Sequence, residues 1–116
     1  MKSKILILDD DPGLRSELAF YLDECGYEVV QSRNGTMALD LIRDHEPDIV
    51  LCDLMMPGIS GLVVLRQIKT TFPSQRVVLM SGLLESSAIA ESRSLGAEDF
   101  LQKPFPGDEF VRKFLC

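Results

Sequence analysis

Hydrophobic residues occur along the chain in two alternating patterns. Five short segments are rich in aliphatic and β-branched residues, and three of them contain four consecutive apolar positions. Such uninterrupted apolar runs are typical of strands that are covered on both faces in a parallel sheet. The strands predicted on this basis are residues 4–8, 28–30, 48–52, 76–80 and 99–101.

The longer segments between these strands have apolar residues three or four positions apart, which predicts amphipathic helices. Asp11-Pro12 open the first helix and Gly26 closes it, since Asp is a frequent N-cap, Pro is common in the first turn and Gly often ends a helix. Its apolar positions are Leu14, Leu18, Leu22 and Cys25. The other helices are predicted over residues 36–44, 60–71, 85–95 and from about 106 onward, and the apolar stripe of the fourth helix is weak.

The regular alternation of strands and helices predicts one α/β domain, in which helices cover both faces of a parallel sheet. The length of 116 residues is that of a single domain. A net charge of −6 argues against nucleic-acid binding by this chain, because phosphate neutralisation requires a basic patch.

The chain has neither an apolar segment of membrane-spanning length nor a signal peptide's apolar region. We therefore expect a cytoplasmic protein without membrane contact. The three cysteines, Cys25, Cys52 and Cys116, are odd in number and far apart, which disfavours a disulfide framework or a structural zinc site. Cys52 lies in an apolar run and is interpreted as a buried core thiol.

Polar side chains follow four of the five predicted strands. They are Asp9, Asp10 and Asp11 after the first strand, Asp53 after the third, Ser81 after the fourth and Lys103 after the fifth. The carboxyl ends of parallel strands meet at one edge of a sheet, so these groups are expected to converge there. Several carboxylates form an all-oxygen site that suits Mg²⁺, and a carboxylate can also attack a phosphoryl group.

The four segments that carry these residues together resemble the receiver domain of two-component response regulators. The segments are residues 5–12, 48–58, 77–82 and 96–105, in the order and spacing of that family. The resemblance implies a flavodoxin-like (βα)5 fold, a doubly wound parallel sheet with strand order 2-1-3-4-5 in three α/β/α layers. It also implies a cis bond before Pro104. We expect residues 1–116 to form one receiver domain, either by itself or excised from a longer regulator.

The resemblance implies a role for each matching residue. Asp53 would accept a phosphoryl group from the phosphohistidine of a sensor histidine kinase or of a phosphotransfer protein. Asp9, Asp10, Asp53 and the main-chain carbonyl of Met55 would bind Mg²⁺, with Mn²⁺ as a substitute. Lys103 would pair with the phosphate.

The resemblance also implies a switch. Ser81 would turn toward the phosphate and Phe100 would move inward with it, which changes the surface formed by the fourth helix, the fifth strand and the fifth helix. That surface would control an output domain, a partner protein or a phosphorylation-dependent homodimer. The chain would then be a signalling switch that catalyses only its own phosphorylation and dephosphorylation, and not an enzyme for a separate substrate.

Two other functions stay open at this point. Asp9 and Asp11 also fit the nucleophile and the acid/base of a small haloacid-dehalogenase-type phosphohydrolase, although Asp11 equally fits a helix N-cap. A receiver-like module that binds partners without phosphorylation is the second alternative. His45, the single histidine, is interpreted as a solvated or helix-capping residue.

One departure from the common family pattern bears on the lifetime of a phosphoryl group. The residues two positions after Asp53 and after Ser81 are Met55 and Leu83. In many members one of these positions is polar and helps to place the attacking water. We expect two apolar residues to make the phosphoryl group long-lived.

Overall fold

The computed structural model describes residues 3–83 and 85–115, and this part of the chain contains a five-stranded parallel sheet. The strands are β1 (Lys4–Leu8), β2 (Glu28–Ser32), β3 (Ile49–Asp53), β4 (Arg76–Ser81) and β5 (Asp99–Gln102). They lie side by side in the order β2-β1-β3-β4-β5. The predicted doubly wound fold is therefore confirmed. Cys116 lies outside the described residues.

Five helices connect the strands or follow them within this part of the chain. They are α1 (Pro12–Glu24), α2 (Ala38–His45), α3 (Gly61–Thr71), α4 (Ser86–Ser94) and α5 (Gly107–Phe110). A 3-10 turn over Gly35–Met37 precedes α2, a short antiparallel hairpin joins β3 to α3, and a π-helical turn over Val111–Leu115 continues α5. No helix among the described residues has the length and apolar character needed to cross a membrane.

Local sequence signals account for the start of two helices. The Asp11 carboxylate accepts hydrogen bonds from the backbone N–H groups of Gly13 and Leu14, which confirms the predicted N-cap of α1. The Ser60 hydroxyl accepts one from the backbone N–H of Leu62 at the start of α3. These side chains satisfy N–H groups that have no partner within the helix.

Alternate residues of the central strands build two separate hydrophobic cores. Leu6, Val50 and Leu79 face α2 and α3, whereas Ile5, Leu51 and Met80 face α1 and α5. The Cys52 thiol lies fully buried in the first core, and burial raises its pKa above the ordinary thiol range. Its interpretation as a core thiol is thus confirmed.

The buried face of α1 differs from the predicted stripe. Ala19 and Leu22 are buried, whereas Leu14 and Cys25 are exposed. The predicted stripe consists of larger apolar residues and does not include Ala19. The small side chain of Ala19 allows α1 to lie close to the sheet. Leu14 belongs to the first turn of α1 and lines the cleft near Asp9 instead of the core.

Helix α4 is the most weakly buried of the longer helices, as its weak apolar stripe predicts. Ser92 is its one fully buried side chain, and its hydroxyl donates a hydrogen bond of 2.7 Å to the carbonyl of Ile89. At α5, the backbone of Gly107 faces the Tyr21 ring so closely that a Cβ atom would lie 2.4 Å from a ring carbon. Glycine thus allows α5 to approach α1.

Candidate functional site

The parallel register brings the predicted polar residues together at the carboxyl edge of the sheet. Asp9 directly follows β1, Asp53 ends β3, Ser81 ends β4 and Lys103 directly follows β5. Asp9, Asp53 and Ser81 are each at most 5% exposed, which is unusual for polar groups. Such burial of polar side chains at one point marks a candidate functional site.

A single lysine bridges the two buried carboxylates. Lys103 Nζ lies 2.9 Å from Asp9 Oδ2 and 3.0 Å from Asp53 Oδ2. Burial alone would lower the pKa of Lys103, but the hydrogen bonds to Asp9 and Asp53 outweigh it and the net shift is upward. Lys103 therefore keeps its positive charge in this site. The bond between Lys103 and Pro104 is cis, as expected.

Asp53 is only partly neutralised by its neighbours. Burial raises the pKa of its carboxyl group to about 6, and the nearby Asp9 carboxylate acts in the same direction. The Lys103 ammonium and the Met55 N–H, 3.2 Å from Asp53 Oδ1, lower this pKa without cancelling the increase. The site consequently holds more negative charge than its lysine compensates.

The predicted cation ligands lie within reach of one ion. Carboxylate oxygens of Asp9, Asp10 and Asp53 are all within 4.8 Å of one another. Three carboxylates and one ammonium leave two negative charges, which matches a divalent cation. The donor atoms are all oxygens, as Mg²⁺ prefers, and Met55 lines the same cleft. The chemistry of the residues present therefore fits Mg²⁺.

The carboxylate of Asp11 is engaged elsewhere. Its Oδ1 accepts the hydrogen bonds that cap α1, at 3.0 Å from Gly13 N and 3.3 Å from Leu14 N. Its backbone N–H donates to Asp9 Oδ1 at 3.0 Å and so helps to fix the Asp9 side chain. These contacts favour the cap over the acid/base role that a phosphohydrolase would need.

Ser81 lines the cleft of the site, and Phe100 lies on the neighbouring strand β5. Ser81 Oγ accepts a hydrogen bond of 3.1 Å from the backbone N–H of Leu83. Phe100 is opposite Leu79 in the sheet register and is buried in the core on the α2 and α3 side. His45 is exposed at the end of α2, near the opposite edge of the sheet, in agreement with its interpretation as a solvated residue.

A residue that the sequence reasoning missed supports the Asp53 loop. Gly61 starts α3, and its N–H donates a hydrogen bond of 2.8 Å to the Leu54 carbonyl. A Cβ atom at Gly61 would lie 2.4 Å from the backbone oxygen of Asp53, so only glycine permits this approach. The one available signal is a glycine in the first turn of a helix, where glycine has a low intrinsic propensity.

Comparisons with known proteins agree with this geometry. The family model of the response regulator receiver domain matches residues 5–114. Sporulation initiation phosphotransferase F from Bacillus subtilis is 39% identical over 99% of this chain and 95% of its own length. Chemotaxis protein CheY from the same species is 34% identical over 96% of this chain and 93% of its own length. Response regulator MprA from Mycobacterium sp. is 35% identical over 97% of this chain, which spans 49% of MprA.

Solved structures show the same architecture. The BeF3-activated receiver domain of Klebsiella pneumoniae RstA aligns with a TM-score of 0.88 at 29% identity, over 95% of this chain and 93% of that one. Vibrio cholerae CheY4 aligns with a TM-score of 0.93 over 99% and 98% of the two chains, and at 21% identity it supports the fold alone. The chain therefore belongs to the response regulator receiver domains, the phosphorylation-controlled signalling domains of two-component systems.

Proposed function

We propose that Asp53 is the residue that accepts the phosphoryl group, from the phosphohistidine of a sensor histidine kinase or of a phosphotransfer protein. The observation that carries this proposal is the shared use of Lys103 by Asp9 and Asp53. This sharing leaves buried negative charge beside a cleft that Asp10, Ser81 and Lys103 also line. Such a site favours a divalent cation and then a phosphoryl group in contact with it.

In the transfer step, an Asp53 carboxylate oxygen attacks phosphorus and forms an O–P bond. The P–N bond to the donor imidazole breaks, and the imidazole nitrogen keeps the electron pair. Asp53 must be ionised for this attack. Lys103, already 3.0 Å from Asp53 Oδ2, shifts its hydrogen bond to a phosphoryl oxygen.

The residues that would hold the cation are Asp9, Asp10 and Asp53, together with the main-chain carbonyl of Met55. When bound, Mg²⁺, or Mn²⁺ in its place, supplies positive charge to the oxygens of the transferring group. The contribution of the chain is to hold the ligands in place. Asp9 is fixed through Lys103 and through the Asp11 N–H, and Asp53 through Lys103 and the Met55 N–H.

The phosphoryl group then shifts the population between two conformations. The Ser81 hydroxyl gives up its contact with the Leu83 N–H and donates to a phosphoryl oxygen. Phe100, two residues away in register on β5, adjusts its packing with it. The change reaches the surface of α4, β5 and α5, which binds an output domain, a partner protein or a second copy of the chain. The weak burial of α4 supports this choice of surface.

The phosphodonor reaches Asp53 over the rim of the cleft. An apolar groove between α1 and the segment after β5 adjoins Asp9 and Lys103 at this rim. It is lined by Leu14, Leu18, Tyr21, Phe105 and Pro106, among others. An apolar groove beside the reacting group suits a protein donor, which would dock there while its phosphohistidine points at Asp53.

The test is intact mass after incubation with Mg²⁺ and acetyl phosphate, on the wild type, Asp53→Asn and Asp9→Asn. We expect a Mg²⁺-dependent gain of one phosphoryl group that is lost in Asp53→Asn. A gain that survives Asp53→Asn but is lost in Asp9→Asn would move the nucleophile to β1 and favour a phosphohydrolase. No gain in any of the proteins would refute the proposal and favour a binding module without phosphorylation.

The same mass assay tests the lifetime of the phosphoryl group. Met55 and Leu83 line the cleft and are 62% and 57% exposed, and neither side chain offers a hydrogen bond to an attacking water. We expect Met55→Asn and Leu83→Asn to shorten the half-life several-fold, whereas Met37→Asn, at an exposed methionine of the 3-10 turn, leaves it unchanged. A wild-type half-life of only seconds would contradict this expectation.

A further inference from the structure

An arginine outside the group of site residues described so far holds the backbone of the acidic turn. Arg15 Nη1 donates a hydrogen bond of 2.7 Å to the backbone carbonyl of Asp9. Arg15 Nε donates to Gln31 Oε1 at 3.3 Å, which steadies the guanidinium from the side of β2. The Arg15 side chain thus connects α1, β2 and the turn that carries the cation ligands.

The other polar groups of Asp9 are bound as well. Its N–H donates to the carbonyl of Ser32 at 3.1 Å, its Oδ1 accepts from the Asp11 N–H, and its Oδ2 faces Lys103. None of these contacts sets the plane of the peptide between Asp9 and Asp10. The bond from Arg15 to the Asp9 carbonyl does so, because the carbonyl lies in that plane.

The orientation of this peptide decides where the Asp10 carboxylate can lie. A peptide unit is planar, so fixing the Asp9 carbonyl also fixes the direction of Asp10 N and Cα. Asp10 is the only one of the three clustered carboxylates that is half-buried and not fully buried, and its oxygens move with its backbone. A rotated peptide would move its oxygens away from Asp9 and Asp53.

We propose that Arg15 is a positioning residue for the cation site, acting through the Asp9 carbonyl on the Asp10 carboxylate. This inference rests on the cation site of the proposed function. Positioning and simple electrostatics predict opposite results when Arg15 is neutralised. A positive charge beside three carboxylates repels a cation, so its removal alone would strengthen cation binding. Loss of positioning would weaken it.

The experiment measures Mn²⁺ binding to the full chain by electron paramagnetic resonance, with Mg²⁺ as competitor. We expect Arg15→Met to weaken Mn²⁺ binding roughly tenfold, the lower end of the effect seen for partners that orient metal ligands. Arg15→Lys, which can still donate one hydrogen bond, is expected to recover part of this loss. Arg66→Met removes the same charge at an exposed position of α3 and is expected to leave the affinity near the wild-type value.

Melting temperatures without metal separate positioning from a purely structural role. Stronger Mn²⁺ binding by Arg15→Met, or unchanged binding with a lower melting temperature, would overturn the inference. If Arg15→Met does not fold, Gln31→Ala provides a second test, since it keeps the arginine charge but removes its lateral contact. We expect this variant to weaken binding to a smaller degree, and unchanged binding would again overturn the inference. A wild-type chain that binds no Mn²⁺ would instead refute the cation site itself, and with it the role of Arg15.

Discussion

The two edges of the sheet each carry a cluster of charged side chains, and the clusters are built differently. At the carboxyl edge, one ammonium, Lys103, serves two buried carboxylates. At the amino edge, Arg76 binds Glu98 through two hydrogen bonds of 2.7 Å and also donates to the Phe114 carbonyl at 2.9 Å. The first cluster is deficient in positive charge, whereas the second is balanced.

The pKa shifts at the two edges have opposite directions. The hydrogen bonds from Arg76 lower the pKa of Glu98 despite partial burial, so the ionised pair stabilises the fold. Burial raises the pKa of Asp53 to about 6, so its ionised form reduces the stability of the fold. The comparison shows where stability has been given up, namely at the edge that is proposed to receive a cation and a phosphoryl group.

The largest effect is expected from a change that disturbs the carboxyl edge without altering any charge. Gly61→Ala places a Cβ atom against the backbone oxygen of Asp53, and backbone atoms yield little. We expect a loss of about 3 kcal/mol in the free energy of unfolding, measured by urea denaturation, together with slower phosphorylation. Gly82→Ala is the matched control, because a Cβ atom at that position has no neighbour within 4 Å. Equal stability of the two variants would contradict the close approach of Gly61 to the Asp53 backbone.

The next effect concerns the charge of Asp53 itself. Its pKa in the folded chain, about 6, is above the ordinary value of 3.8, so the fold gains stability as the pH falls from 6 to 3.8, and above 6 the full cost of the ionised carboxylate applies. Without divalent cations, Asp53→Asn is expected to stabilise the chain at neutral pH by about 2 kcal/mol. The melting temperatures of the variant and the wild type should converge as the pH approaches 4. A difference in melting temperature that does not depend on pH would show that ionisation of Asp53 does not cause the loss of stability.

The smallest effect is expected at the amino edge. Glu98→Gln removes the charge that Arg76 binds, but both side chains are more than one third exposed and solvent weakens the pair. We expect a loss of no more than about 1 kcal/mol, with phosphorylation by acetyl phosphate unchanged. Because the pKa of Glu98 is lowered, the extra stability of the wild type over Glu98→Gln should disappear as the pH falls through that pKa. The control is Glu91→Gln, which removes the same charge at an exposed position of α4. Slower phosphorylation in Glu98→Gln would mean that the amino edge is not purely structural.

The sequence predicted the fold and the convergence of the site because both depend on periodic patterns and on strand ends. Asp53 and Ser81 follow apolar runs, and residues that follow parallel strands lie at the same edge of the sheet. The contribution of Ala19, Gly61 and Arg15 could not be predicted in the same way. Each acts through a contact between separate elements, and such contacts do not produce a periodic pattern in the sequence from which they could be predicted.

The way α4 is attached to the domain also has a consequence for evolution. A helix with one fully buried side chain, Ser92, can exchange most of its other residues with little change in buried apolar area. The partner recognition that is proposed for this helix can therefore change, or diverge after gene duplication, without loss of the sheet. The carboxyl edge has no such freedom, because its residues hold one another in place. Descendants of this domain are expected to share their chemistry and to differ in the partners they serve.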